Sequence, residues 1–188
     1  MSDAKGIDVL AICGSLRAGS YNRALLRAAA AELRAHVEFR EWHGIEALPA
    51  YDEDNDGPVP APTVARLRRA IAGAGAVLIA TPEYNHSIPG ALKNALDWGS
   101  RPFPDNCLRG KPVAVIGASS GLFGAVWAQA ELRKVLEAIG ADVLDTALSI
   151  PTAQDAFTSE GRLRDRELAT ELRAIVHQLA HRTLRHAA

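Results

Sequence analysis

Cysteine is nearly absent from the 188 residues: Cys13 and Cys107 are the only two, with no CxxC pair and no His/Cys cluster, so neither a disulfide framework nor a zinc site is indicated. An excess of either charge is missing too. Lys plus Arg total 21 against 22 for Asp plus Glu, a formal net charge of −1, which leaves no global field to steer the chain onto nucleic acid or an anionic membrane. Long hydrophobic runs are also lacking. The longest strongly apolar stretch, residues 70–80, is broken by Gly73 and Gly75 and falls far short of the roughly 20 residues that cross a bilayer. The start, MSDAKGIDVL, carries Asp3 and Lys5 and no apolar export segment, so a cytoplasmic location is expected. No internal repeat or low-complexity segment is visible.

What is present is an ordinary globular composition, 48% hydrophobic and 23% charged. At this length a single domain over residues 1–188 is expected. Such a domain removes about 70% of its unfolded surface from water, enough for a core without metals or disulfides.

Apolar runs and helix-period segments alternate along the chain, the pattern of a parallel sheet with helices on both faces. Strands are read at residues 7–13, 37–42, 76–81, 112–118 and 143–150. The first, IDVLAIC, is a nearly unbroken apolar run of the kind buried on both faces. Helices are read at residues 20–35, within 60–74, and at 88–99, 122–139 and 163–184. Leu25, Leu26, Ala29 and Leu33 share a face of the first; Ile88, Ala91, Leu92, Ala95 and Leu96 do so in the third, and Leu168, Leu172, Ile175, Val176 and Leu179 in the last. Pro89 suits a first helical turn, where a missing N–H costs nothing, and Gly140 is a natural left-handed stop. The segment LPAYDEDNDGPVPAP, 48–62, reads as an exposed loop. This alternation predicts a flavodoxin-like three-layer α/β sandwich with a five-stranded parallel sheet in order 2-1-3-4-5.

In such a sheet ligands bind beyond the carboxyl ends of the strands, at the switch between strands one and three. Three loops meet there. In the first, GSLRAGSYN (14–22), small residues let backbone N–H groups curl around an anion, and Ser15 and Ser20 can donate hydroxyls. The helix start adds about 0.3–1 kcal/mol of favourable field. Arg17 supplies a full charge and a planar fork suited to phosphate oxygens. The loop is neither the dinucleotide pattern G-x-G-x-x-G nor one ending in G-K-[S/T], and alone it reads equally as an N-cap and turn. The second loop, TPEYNHSIPG (81–90), offers Tyr84 to cover an aromatic ligand, and Asn85 with nearby amides to bond a ring's polar edge. The third, ASSG (118–121), has side chains small enough for a flat ring to approach the backbone. Together they describe a site for a mononucleotide with a large ring system, which FMN fits.

The stretches GSLRAGSYN and PEYNHSIPGALKNALDW closely resemble the signature stretches of the NAD(P)H-dependent FMN reductase family, which includes bacterial quinone reductases, also described as chromate reductases, and azo-dye reductases. The resemblance covers roughly residues 7–150, and its second stretch is the more specific. It implies that Ser15, Arg17, Ser20 and Asn22 surround the phosphate and ribityl end of FMN. By the same resemblance Pro82, Glu83, Tyr84 and Asn85 contact the isoalloxazine ring, and Ser119 and Gly121 lie along its outer edge. It further implies NAD(P)H as co-substrate, hydride transfer to the flavin, and two-electron transfer to a quinone or another small acceptor such as a flavin, azo dye or chromate. A homodimer or homotetramer with FMN near a subunit boundary is implied as well. Two departures are visible: similar relatives carry an aromatic residue where His86 stands, and more glycine in place of ASSGLFGA (118–125).

No catalytic residue is assigned, because the flavin carries the chemistry. His86 reads as a polar loop residue, Cys13 as core, and Cys107 as a loop cysteine open to exposure. Trp42, Trp98 and Trp127 read as packing residues, with a subunit interface the alternative for Trp98. The arginines near the carboxyl end, interleaved with acids, read as a solvated helix face. Two rival functions stand beside the reductase. One is a non-enzymatic flavodoxin-like electron carrier, which a charge of −1 disfavours; the other is a nucleotide-binding regulatory module.

Overall fold

β1 (Ile7–Cys13), β3 (Ala76–Thr81) and β4 (Pro112–Ala118) are almost wholly aliphatic, and they lie in the middle of the sheet where water reaches neither face. β2 (Val37–Trp42) and β5 (Asp142–Ile150) carry charged residues and take the edges. The computed structural model describes residues 7–33 and 37–186. Within them the strand order is β2-β1-β3-β4-β5, every pairing parallel, as the alternating pattern predicts.

Because successive strand residues face opposite sides, the core divides into two layers. Val9, Ala11 and Cys13 join Leu25, Leu26 and Ala29 of α1 (Tyr21–Ala31) and Leu172, Ile175, Val176 and Leu179 of α5 (Arg166–His186). Leu10, Ile12, Val77 and Ile79 pack on the other face against α2 (Pro62–Gly73), α3 (Gly90–Gly99) and α4 (Val126–Ile139). Each fully buried large aliphatic contributes about 1.5–3 kcal/mol, so these layers dominate the stabilisation.

Several helix starts differ from the sequence reading, each for a local reason. α3 begins at Gly90 because Pro89, at φ −58° and ψ 140°, takes the cap position, and Ile88 before it stays out of the helix. α4 begins at Val126 and not at Leu122, because Gly124 (φ 59°) and Ala125 (φ 67°) are both left-handed. α5 begins at Arg166, where Asp165 Oδ1 accepts from Glu167 N–H at 2.8 Å and Leu168 N–H at 3.2 Å. Leu163 instead pairs with Phe157 in a short antiparallel bridge. β5 extends one residue earlier than expected, to Asp142. α1 ends at Ala31, with Glu32 as its C-cap, short of the expected end at Ala35, a residue that itself lies outside the described ones.

Trp98 is a core residue and no interface: it is 1% exposed, its indole N–H reaches Pro49 O at 2.9 Å, and Tyr51 packs edge-on against it. With Asn94, which also donates to Pro49 O, it fastens the loop after β2 to α3. Cys107 is partly buried and packs against the core; its thiol donates to Gly99 O at 3.3 Å and is pushed up to about 11 by burial. At the edge, β5 bulges between the rows opposite Val113 and Val115, and Arg133 of α4 donates to the carbonyls of Leu144 and Thr146 there. Among the described residues no helix is long and apolar enough to cross a membrane, and no cluster of His, Cys, Asp or Glu is arranged to hold a metal ion.

Candidate functional site

The register aligns Cys13 with Ala80 and Thr81 with Gly117, so the loops after β1, β3 and β4 leave the same edge of the sheet side by side. They are held close. Gly14 N–H bonds Ala80 O at 2.8 Å, and a Cβ on Gly14 would stand 2.9 Å from Leu92 Cδ2 and 3.3 Å from Pro82 Cδ. Only glycine lets the first loop lie this near the second.

Between the loops is a cavity of about 310 Å³, lined by Ser15, Arg17, Ser20, Tyr21, Asn22, Pro82, Glu83, Tyr84, Ala118, Ser119 and Ser120. Eight of the ten residues singled out from the sequence are therefore brought together; Asn85 and Gly121 are not part of the lining. At one end, Ser20 caps α1 by accepting from Arg23 N–H at 3.4 Å, and Ser15 Oγ accepts from Arg17 N–H. Among the described residues the N–H groups of Leu16, Ala18 and Gly19 have no protein acceptor. Arg17 lies over the Tyr21 ring, its guanidinium carbon 4.8 Å from the centroid, so the cation is held beside the cavity. Unpaired N–H groups, a helix start and a stacked guanidinium form an end suited to a phosphate.

Asn22 is committed elsewhere. Its Nδ2 donates to Ala118 O and its Oδ1 accepts from Ala118 N–H, both at 2.9 Å, joining the start of α1 to the end of β4. Glu83 is committed too, since Oε2 accepts from Trp127 N–H and Ala128 N–H, each at 3.1 Å. Asn85 (φ 53°) and His86 (φ 61°) form the two-residue turn of a tight hairpin closed by Tyr84 N–H to Ser87 O and Ser87 N–H to Tyr84 O. Two left-handed residues in succession identify it as type I′, which explains why Asn stands first. Gly121 N–H bonds Ser119 Oγ at 3.1 Å, shaping the third loop from within. Tyr21, Ala118 and Ser120 are lining residues not among those ten; Tyr21 was legible in principle, as the residue directly after the cap serine.

Another hollow, of about 330 Å³, lies on the far side of the first loop among Cys13, Trp42, His43 and Glu46. The buried Cys13 thiol bonds Ser15 O and adjoins Ser20 Oγ, supporting the first loop from below.

A doubly wound sheet whose loops close on one polar cavity with an anion-ready end defines a mononucleotide-binding α/β protein. The likeness to known proteins is narrower. The chain belongs to the NADPH-dependent FMN reductase family, whose sequence profile matches residues 7–155. It is 45% identical over 166 residues to an NAD(P)H-dependent FMN reductase of Pseudomonas aeruginosa, covering 88% of each chain. It is 40% identical over 141 residues to a quinone reductase of Escherichia coli, covering 74% of each. Among solved structures, the flavoenzyme NAD(P)H:(acceptor) oxidoreductase FerB of Paracoccus denitrificans superposes with a TM-score of 0.85 at 35% identity, covering 96% of this chain and 98% of that one.

Proposed function

We propose that the chain is an FMN-dependent NAD(P)H oxidoreductase that delivers electrons to quinones or other small acceptors, among them flavins, azo dyes and chromate. The observation that carries this reading is the single cavity joining a phosphate-ready loop to a rigid, partly aromatic loop. The residues present fit FMN. Ser15, Arg17, Ser20 and the free N–H groups of the first loop hold its phosphate, and Asn22 keeps that loop against β4. Pro82, Glu83, Tyr84, Asn85, Ser119 and Gly121 form the walls and rim for the ring. When bound, FMN supplies hydride acceptance from a nicotinamide and two-electron donation to an acceptor. The protein's part is to bind, orient and leave one side of the ring open. Tyr84, half exposed, stands at that opening.

The reading extends to one domain over the whole chain, a cytoplasmic location, and a homodimer or homotetramer. Leu122, Phe123, Val126 and Trp127 form an exposed apolar surface beside the cavity that a second copy would cover. Purified protein is expected to be yellow, or to turn yellow with FMN, and to be bleached anaerobically by NADPH or NADH. Bound flavin that neither nicotinamide reduces would favour the electron carrier, and absence of flavin binding would sink both. Arg17→Ala is expected to weaken FMN binding at least about tenfold, the loss of one charge-assisted contact, while hydride transfer in the saturated enzyme changes little. Flavin titration checks the first part, and stopped-flow reduction at saturating FMN the second.

A further inference from the structure

The loop after β3 crosses the crevice and caps a helix remote from it in sequence. Trp127 and Ala128 supply first-turn N–H groups of α4, which have no intrahelical acceptor. The cap position of α4 is Ala125, a left-handed residue with no side-chain oxygen to offer. The Glu83 carboxylate takes both N–H groups and places a negative charge at the positive end of the helix. Its side chain is 13% exposed, and its second oxygen faces His86 Nδ1 at 3.8 Å. Glu83 also lines the cavity, and the helix start it holds is the end of the cavity's third loop.

We propose that Glu83 is a positioning residue: it acts through α4, fixing the distance between the second and third loops and hence the width of the slot for the ring. This rests on the FMN reading above, but assigns the carboxylate to the helix in place of the ring contact that the resemblance implies. The opposite side of the same loop is held independently. Gly124 packs so tightly on Ile150 that a Cβ would come within 2.8 Å of its backbone. Ser119 N–H also bonds Ile150 O. Loss of Glu83 therefore loosens one wall and leaves the fold standing.

FMN titration of flavin-free native protein, Glu83→Gln, Glu83→Ala and Arg17→Ala, followed by flavin fluorescence quenching and by the visible spectrum of the bound flavin, tests this. Glu83→Ala is expected to weaken binding about tenfold and to alter the bound spectrum, while Glu83→Gln, which keeps an acceptor of the same reach, stays within about threefold. Amide exchange at Trp127 and Ala128 is expected to accelerate in Glu83→Ala before any flavin is added. Native affinity and spectrum in Glu83→Ala, with Arg17→Ala impaired, would overturn the positioning role and leave the FMN reading intact. Equal losses in Glu83→Gln and Glu83→Ala, with amide exchange unchanged, would point to direct charge contact with the ring and overturn it as well. No binding by the native protein would remove the FMN reading itself.

Discussion

Asn22 does for the end of β4 what another strand would do, giving Ala118 both a donor and an acceptor. Asn22→Ala leaves a buried N–H and C=O without partners, a cost of about 1–3 kcal/mol per group. Urea unfolding is expected to show the loss, and FMN titration a weaker complex even though the side chain faces Ala118. That partner was not legible in the sequence, because the two residues lie 96 positions apart. Ser15, Ser20 and Arg17 were legible because their chemistry is local to one loop. Cys107 makes a second prediction. Its thiol ionises near 9.0 when unfolded and near 11 in the fold, so the folded state retains the proton. The stability this contributes is fully present below about pH 9 and is lost as pH rises toward 11, at most about 3 kcal/mol for two pKa units. Cys107→Ala is expected to flatten that alkaline decline, measured by unfolding at about pH 8 and about pH 10.5, between which the unfolded thiol ionises while the folded one keeps most of its proton.

At the level of elements, the five strands and five α-helices of the described residues follow from the alternation of apolar runs and helix-period segments, and the helix ends are where the reading slips. Leu122 satisfies the apolar pattern of α4, but the chain cannot enter the helix until it has passed Gly124 and Ala125. Alanine in the left-handed region gives no sequence signal, whereas Asn85 in its hairpin does. Gly124→Ala combines a φ of 59° with the close approach to Ile150, and is expected to cost at least about 1–3 kcal/mol. A drop of several degrees in thermal midpoint checks it, and an unchanged midpoint would mean the loop moves freely.

For the whole molecule, the sheet with helices on both faces and its strand order were legible because apolar runs alternate with helix-period segments along the chain. What covers the outside was not. The apolar surface of Leu122, Phe123, Val126 and Trp127, with His86 set edge-on against Trp127 at 4.7 Å, predicts association. Phe123→Glu with Trp127→Glu is expected to shift the protein toward monomer in light scattering; an unaltered mass would move the interface elsewhere.

The β5 rim has a protective role of its own. A foreign chain seeking a template needs a straight row of free carbonyls, and Arg133 already occupies two of them where the strand kinks. Arg133→Ala should therefore leave the monomer's outline intact yet hasten fibril growth on warming, visible as an earlier rise in thioflavin signal.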